Sequence, residues 1–225
     1  MKIPTWKIMG GQAMKLIQWI MHRPKKRKNL EKLGSKYGGW FVPVDILNEN
    51  SICYCVGVGE DISFDMELIK RFSCHVFAFD PTPRAKKFVE ENTLNIPNFN
   101  FYDIGLWSSN EKLKFYAPKD PTHVSHSILN LQKTNNFFIA QCKRLSQIMN
   151  DLDHSYIDIL KLDIEGAEEA VLDSIITDKL DIKVICIEFH YPLKEITALV
   201  KKLTNWNYDL VNIDNWNYTF IRKES

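Results

Sequence analysis

The feature that most constrains the fold is an apolar run that breaks into two glycines and then into acidic residues. Ile52–Val56 is followed by Gly57 and Gly59, and then by Glu60 and Asp61. An unbroken apolar run of this length is typical of a parallel strand covered on both faces. Glycines directly after it let backbone amides approach a ligand closely, and the next helix starts with free amides. The run therefore predicts a strand, a tight turn and a helix that can together bind a ligand.

A second apolar strand ends in an acidic residue. His75–Phe79 is followed by Asp80, about twenty residues beyond the glycine turn, where an acidic side chain can accept both hydroxyls of a ribose. The two units predict a nucleoside-cofactor site. One alternative stays open, in which Asp80 only caps the next helix, although Thr82 and Pro83 can do so without it.

Two nucleoside cofactors fit these units, a dinucleotide such as NAD and S-adenosylmethionine. The dinucleotide fingerprint needs a third glycine, and this chain has Ile62 there. Glu60 and Asp61 would repel a pyrophosphate, whereas they suit the ammonium and sulfonium of S-adenosylmethionine. The residues therefore favour S-adenosylmethionine.

The end of the chain predicts a closing hairpin, formed by residues 208–213 and 217–222. An antiparallel last strand in a parallel sheet is a feature of the class I methyltransferase fold, by analogy at the level of the fold. We therefore predict a Rossmann-like α/β fold with helices on both faces of a mostly parallel, seven-stranded sheet whose C-terminal strand is antiparallel.

Four blocks of the sequence occur together, at residues 56–65, 79–83, 123–128 and 160–168. With them the chain resembles the FkbM family of S-adenosylmethionine-dependent methyltransferases from about Tyr37 to the C-terminus, most specifically in Lys-x-Asp-x-Glu-Gly-Ala-Glu. The resemblance implies S-adenosylmethionine as methyl donor and S-adenosylhomocysteine as product. It also implies O-methylation of a hydroxyl on a sugar, a nucleotide sugar, a glycan precursor or another small molecule.

We expect the cofactor to lie at the carboxyl ends of the first strands. Trp107 follows the third predicted strand and either stacks on the adenine or belongs to the core. The cofactor-binding residues predicted from the motifs and the resemblance are Gly57, Gly59, Glu60, Asp61, Ser63, Asp80, Pro81, Gly105, Trp107 and Asp163.

The catalytic candidates follow the fourth and fifth strands. Methyl transfer is an in-line displacement that depends mainly on positioning, and a hydroxyl acceptor must lose a proton to a nearby base. We predict Asp163 or His190 as that base, and the resemblance places Glu165 in the active-site block. Asp163, Glu165 and Glu188 can also supply oxygen ligands, so a divalent cation stays open although no metal site is predicted.

The acceptor is expected beside these groups. Tyr37 and Trp40 either form part of the cofactor or acceptor wall or are core anchors of an ordinary turn. The long irregular stretch at residues 117–136 is typical of a binding loop, the alternative being an exposed polar loop. The predicted substrate-binding residues are Tyr37, Trp40, His123, Ser125, His126 and Glu188.

Two rival functions remain. An NAD-dependent oxidoreductase would use the same half-fold, but the third glycine and a Tyr-x-x-x-Lys pair are absent from the sequence. A non-catalytic scaffold that binds S-adenosylmethionine or nothing is the other, and acidic residues at the strand ends count against it.

The first part of the chain differs from the rest. We predict a helical, basic N-terminal extension over residues 1–36 and a methyltransferase domain over 37–225. Residues 13–21 are apolar, and Arg23, Lys25, Lys26, Arg27 and Lys28 surround Pro24. The extension is either a helix packed on the domain or a basic amphipathic element that contacts an anionic membrane or a dimer partner.

Composition limits the partners. A formal net charge of +1 argues against a nucleic-acid partner. Neither a membrane-spanning run nor a signal pattern is evident, so we expect a cytoplasmic protein, either free in the cytoplasm or peripheral to the membrane. The five cysteines are predicted to be buried, reduced thiols. Homo-oligomerisation stays open.

Overall fold

The structure is a computed structural model that describes residues 11–94, 96–120, 126–130 and 132–224. The strands are β1 (Leu30–Leu33), β2 (Trp40–Pro43), β3 (Ile52–Val56), β4 (His75–Phe79), β5 (Phe99–Tyr102), β6 (Gly105–Leu106), β7 (Glu111–Tyr116), β8 (Phe137–Lys143), β9 (Ile157–Leu162), β10 (Ile182–Glu188), β11 (Tyr208–Asp214) and β12 (Asn217–Arg222). The helices are α1 (Gly11–His22), α2 (Ser63–Phe72), α3 (Pro83–Asn92), α4 (Leu145–Asp151), α5 (Glu168–Thr177) and α6 (Leu193–Asn205), with a 3₁₀ turn at Val44–Ile46.

The main sheet has seven strands in the order β11-β12-β10-β9-β3-β4-β5. Strands β5, β4, β3, β9 and β10 are mutually parallel, and β12 is antiparallel to both β10 and β11. This arrangement confirms the predicted fold. The chain leaves β3 in one direction for β4 and β5 and later returns to the other side with β9, so the strand order reverses between β3 and β9. Ligands of open α/β sheets bind at such a reversal.

Both faces of the sheet are covered, which explains the continuous apolar strands. Tyr54 and Val56 of β3 point into a cluster with residues of α4, α5 and α6. Cys53 and Cys55 point the other way, into a cluster with Phe64 and Leu68. All six residues of β9 are buried, including Lys161. The five cysteines are buried and free, as predicted.

A second sheet of three strands, β6-β8-β7, lies beside the main one. Polar and apolar residues alternate along β7, as is typical of a strand, whereas β8 was not predicted. The loop between β7 and β8 includes His126, and an isolated bridge joins Tyr116 to Ser127. His123 and Ser125 lie outside the described residues.

The N-terminal part is integrated with the domain. α1 packs against β11 and α6, where His22 Nε2 lies 3.0 Å from Thr197 Oγ1 and Lys15 pairs with Asp214 at 3.1 Å. β1 pairs with β2, so the predicted boundary between residues 36 and 37 falls inside a hairpin and the expected extension is not wholly helical.

The outer surface of α1 exposes apolar side chains, those of Leu16, Trp19, Ile20 and Met21. Among the described residues, no helix combines the length and the apolar character needed to cross a membrane. Contact of this surface with a membrane stays a prediction.

Candidate active site

A cavity of about 630 Å³ opens at the carboxyl ends of β3, β4, β9 and β10. It is bounded by the β1–β2 loop, by the turn between β11 and β12, and by residues near His126. Of the predicted site residues, those that line it are Tyr37, Trp40, Gly57, Gly59, Glu60, Asp61, Asp80, Pro81, Gly105, His126, Asp163, Glu165, Glu188 and His190. The structure therefore brings most of the predicted residues to one place.

The glycine turn is built around close contact with β9. Gly57 has a φ of +83°, and a Cβ added to it would lie 1.8 Å from the backbone oxygen of Asp163. Its own oxygen accepts a hydrogen bond from Lys161 Nζ. No side chain larger than hydrogen fits this position without movement of the backbone. The cofactor turn and the Asp163 segment are consequently held as one unit.

Asp80 holds the same turn from the other side. It is 5% exposed, and its Oδ2 accepts hydrogen bonds of 2.9 Å from the amides of both Val58 and Gly59. Oδ1 accepts from the amide and the hydroxyl of Thr82 at 2.9 and 2.6 Å. Thr82 caps α3 by accepting from the Ala85 amide, and Pro83 follows it. Asp80 thus organises the turn in addition to facing the cavity.

Asp61 joins the β1–β2 loop to the glycine turn. Ser35 Oγ donates to Asp61 Oδ2 at 2.6 Å, and the Ser63 amide donates to Oδ1 at 2.9 Å. Burial alone would raise the pKa of Asp61, but these hydrogen bonds lower it below its usual value. Gly38 passes against the same carboxylate, since a Cβ there would lie 2.6 Å from Oδ2. This contact explains the glycine at position 38, while Gly39 is confined by the backbone oxygens of Leu33 and Ser35.

Two predicted cofactor residues do not line the cavity. The Ser63 hydroxyl accepts a hydrogen bond of 2.7 Å from the Ser35 amide, so Ser63 anchors the loop. Trp107 donates its amide to the Lys143 oxygen at 3.0 Å, and the neighbouring cavity wall is formed by Leu106 and Phe115. Trp107 is not among the residues that line the cavity, whereas Gly105 and Leu106 are, and a contact of Trp107 with the cofactor stays a prediction.

The wall opposite the turn carries an acidic cluster around one histidine. His190 Nε2 lies 3.6 Å from Glu165 Oε2, 3.8 Å from Asp163 Oδ1 and 3.9 Å from Glu188 Oε1. These separations are too long for hydrogen bonds. On its other side, His190 Nδ1 lies 2.7 Å from Oε1 of Glu168, whose side chain is fully buried.

The charges of this cluster alter its protonation. Burial alone would lower the pKa of His190, but the hydrogen bond to Glu168 and the charges of Glu168, Glu165 and Asp163 raise it to about 10. Burial, and then the charge of Asp163, raise the pKa of Glu188 to about 7. Because a raised pKa favours protonation of the ring, these surroundings favour a carboxylate over His190 as the base, and the catalytic role of His190 stays a prediction.

Backbone geometry directs Glu165 into the cluster. Its φ is +51°, which is uncommon for a residue other than glycine, and Gly166 follows with a φ of +96°. Ser127 Oγ donates to the Glu165 oxygen at 2.7 Å, and Tyr191 donates its hydroxyl to the Gly166 oxygen. The unusual conformation is thus stabilised by hydrogen bonds from two other segments.

The aromatic residues at the entrance differ in their surroundings. Tyr37 is 91% exposed, whereas Trp40 is 2% exposed and packs in the core while also lining the cavity. The ring of His126 lies 5.3 Å from that of Phe138. Trp40 therefore serves as a core anchor, and Tyr37 stands at the solvent edge of the cavity.

Sequence reasoning missed several residues of the site. Lys161 lies within an apolar strand, and a cation at a buried strand position was a signal that could have identified it. Glu168 was treated only as part of a motif, although it positions His190. The turn between β11 and β12 gave no signal. The cavity residues not predicted include Lys161, Leu106, Phe115, Ile128, Asn215 and Trp216.

Comparison with known proteins identifies a family. Residues 51–210 match the model of the methyltransferase FkbM domain. A human protein described as probable methyltransferase-like protein 24 is 24% identical over 171 residues, which are 74% of this chain and 40% of that protein. The chain thus spans well under half the length of this curated relative.

Solved structures show distant similarity. The Methanococcus jannaschii fibrillarin pre-rRNA processing protein is 11% identical to this chain, with a TM-score of 0.47. The superposition covers 89% of this chain and 86% of the fibrillarin chain. TrmK of M. capricolum, solved in complex with S-adenosylhomocysteine, is 13% identical to this chain, with a TM-score of 0.39. The superposition covers 79% of this chain and 63% of the TrmK chain.

Proposed function

The chain belongs to the FkbM methyltransferase family, and we propose that it transfers a methyl group from S-adenosylmethionine to a hydroxyl oxygen of a sugar-type acceptor. The cofactor and the reaction class follow from the family. The hydroxyl and the sugar are the proposal. The observation that supports it is the set of half-buried carboxylates directly opposite the cofactor turn.

The glycine turn is the cofactor half of the proposed site. Gly57, Gly59 and Pro81 bring backbone close to the cavity, and the acidic side chains of Glu60 and Asp61 suit the cationic groups of the donor. Glu60 is itself held by Arg84, with Nε to Oε1 at 2.7 Å. Because Asp80 already accepts from Val58, Gly59 and Thr82, it acts here chiefly by shaping the turn that receives the ribose.

Glu188 is the proposed proton acceptor. Asp163 lies 4.0 Å from Lys161 and adjoins the glycine turn, so its carboxylate faces the donor as well as the cluster. Glu188 ends β10, lines the cavity and makes no hydrogen bond to the described part of the chain; its Oε1 lies 3.9 Å from His190 Nε2. A carboxylate in this position can accept the hydroxyl proton as the oxygen attacks the methyl group.

A polyhydroxylated acceptor suits the residues on the acidic side of the cavity. Carboxylates accept hydrogen bonds from neighbouring hydroxyls, while Tyr37 and Trp216 offer ring surfaces at the entrance. The oxidoreductase alternative is not favoured by the family, and the absence of a nucleic-acid partner stays a prediction.

The test has two stages on the purified chain. Calorimetric titration with S-adenosylhomocysteine, with NAD in parallel, should show binding of the first ligand alone. Radiolabel transfer from S-adenosylmethionine is then measured with sugar nucleotides, oligosaccharides, small phenols and RNA as acceptors. Labelling confined to RNA or to an amine would contradict the proposal.

Glu188→Gln provides the mechanistic test. It should lower turnover by about 100-fold or more, as expected for loss of a general base, while affinity for S-adenosylhomocysteine stays unchanged. Glu169→Gln is the matched control, because Glu169 has an exposed side chain on the neighbouring helix α5. Full turnover by the Glu188 variant would assign the proton to another group.

A further inference from the structure

We propose that Asp163, Glu165 and His190 form a binding site for a divalent cation such as Mn²⁺ or Mg²⁺. One carboxylate oxygen each from Asp163 and Glu165 and a ring nitrogen of His190 lie within 4.8 Å of one another. The site belongs to the acidic cluster, but its occupation by a metal does not depend on which acceptor is methylated.

The distances leave space for an ion. Nε2 of His190 is 3.6 Å from Glu165 Oε2 and 3.8 Å from Asp163 Oδ1. Ligands at adjacent positions of an octahedral Mg²⁺ are about 3.0 Å apart, since each bond is about 2.1 Å long. Movement of these side chains by less than an ångström would therefore bring the three atoms to coordinating distance. Glu188 Oε1, at 3.9 Å from Nε2, stands at the edge of the same space.

The orientation of His190 is the second argument. Its Nδ1 is fixed by the buried carboxylate of Glu168, and Nε2 points to Asp163 and Glu165 without a hydrogen bond to any described residue. A histidine that binds a metal commonly donates its other N–H to a carboxylate in this way, which fixes the ring. An ordinary structural histidine would be expected to use both nitrogens in hydrogen bonds.

The balance of charge agrees with this geometry. The carboxylates of Asp163, Glu165, Glu168 and Glu188 surround the ring of His190, and Lys161 is directed to the Gly57 oxygen. A divalent cation bound at Nε2 would offset these negative charges, while Nδ1 stays directed at Glu168. Two oxygens and one nitrogen suit Mn²⁺ well and admit Mg²⁺.

The remaining coordination positions would face the cavity. If the proposed methyl transfer is correct, the acceptor oxygen can occupy one of them, where the cation would lower the pKa of the hydroxyl and fix its orientation toward the donor. This role rests on the proposed function, whereas binding of the cation itself does not.

The experiment follows Mn²⁺ binding to the full chain without cofactor by electron paramagnetic resonance of the free ion. The wild-type chain should bind one Mn²⁺ that Mg²⁺ displaces. Glu165→Gln should weaken the affinity for Mn²⁺ by about tenfold or more. Glu168→Gln, which alters the contact that fixes Nδ1 of His190, should weaken it by a similar factor. Glu169→Gln is the control and should bind as the wild type does.

The result is separable from the proposed function because S-adenosylhomocysteine binding is measured on the same samples. Retained binding of this ligand shows that a variant is folded. Absence of Mn²⁺ binding up to millimolar concentration, or equal affinity in the wild type and Glu165→Gln, would overturn the proposal. Tighter binding of S-adenosylmethionine than of S-adenosylhomocysteine, lost in Glu165→Gln and without any Mn²⁺ binding, would instead show that the sulfonium neutralises the cluster.

Discussion

The two walls of the cavity are built in opposite ways. On the cofactor side, Asp80 and Asp61 have their oxygens occupied by hydrogen bonds of 2.6 to 2.9 Å from neighbouring residues. On the acidic side, three carboxylates face His190 Nε2 at 3.6 to 3.9 Å without a hydrogen bond. The first wall is preorganised for its ligand, and the second is left incomplete until a ligand supplies positive charge or hydrogen-bond donors.

The largest effect is expected at the junction of the two walls. Gly57→Ala should lower the free energy of unfolding by at least about 3 kcal/mol, since its Cβ would overlap the Asp163 oxygen and only backbone movement could relieve the overlap. Chemical denaturation measures the change. Gly59→Ala is the control: its φ of +56° lies in the left-handed region, which costs alanine about 1 kcal/mol. Equal losses would show that the walls are not in rigid contact.

A smaller loss is expected at Asp80. Asp80→Ala removes the acceptor of four hydrogen bonds, from the amides of Val58 and Gly59 and from the amide and hydroxyl of Thr82, and should destabilise the chain by about 2 kcal/mol even without cofactor. Asp103→Ala is matched, because Asp103 follows β5 as Asp80 follows β4, but its side chain is exposed and forms an ion pair with Lys86. Its effect should stay below about 0.5 kcal/mol. A variant of Asp80 that binds cofactor poorly yet unfolds like the wild type would assign Asp80 to the ribose alone.

Substitution in the acidic wall should change the free energy of unfolding in the opposite direction. Glu188→Gln is expected to raise the free energy of unfolding by up to about 1 kcal/mol at neutral pH, because it removes one of several close negative charges at a site shaped for function. Thermal unfolding of the cofactor-free chain, beside Glu169→Gln, measures this. Destabilisation by Glu188→Gln would mean that this carboxylate stabilises the folded chain. The acidic side would then need no ligand to complete its interactions.

The smallest effect concerns the side of the cavity near β6. Trp107→Phe should change the dissociation constant of S-adenosylhomocysteine by less than about twofold, since Trp107 does not line the cavity. Phe115→Ala removes apolar surface that does line it and should weaken binding by about fivefold, or roughly 1 kcal/mol. Calorimetry compares the two. A large loss in the Trp107 variant would restore the adenine contact expected from the sequence.

Most of the fold could be predicted because it depends on short apolar runs and their order along the chain. β3, β4, β9, β10 and the closing hairpin were all recognisable, and their order determines where the carboxyl ends meet. β1 was missed because it has no continuous apolar run and reads Leu-Glu-Lys-Leu. β8 starts with an apolar run at residues 137–140, which directly follows the predicted binding loop and was not recognised as a strand. β1 pairs with β2 and β8 pairs with β7, and neither pairing is evident from the residues of the single strand.

What the sequence determined by itself was the cofactor wall. Its turn is made by consecutive residues, Gly57 to Asp61, whose conformational freedom and charge are local properties. What only the tertiary structure decided was the acidic wall. Whether His190 is a base, a cation or a ligand depends on Glu168 at its Nδ1 and on Asp163 and Glu165 at its Nε2. Protonation follows the field of all nearby charges and the loss of solvent, and these are set by how distant segments pack.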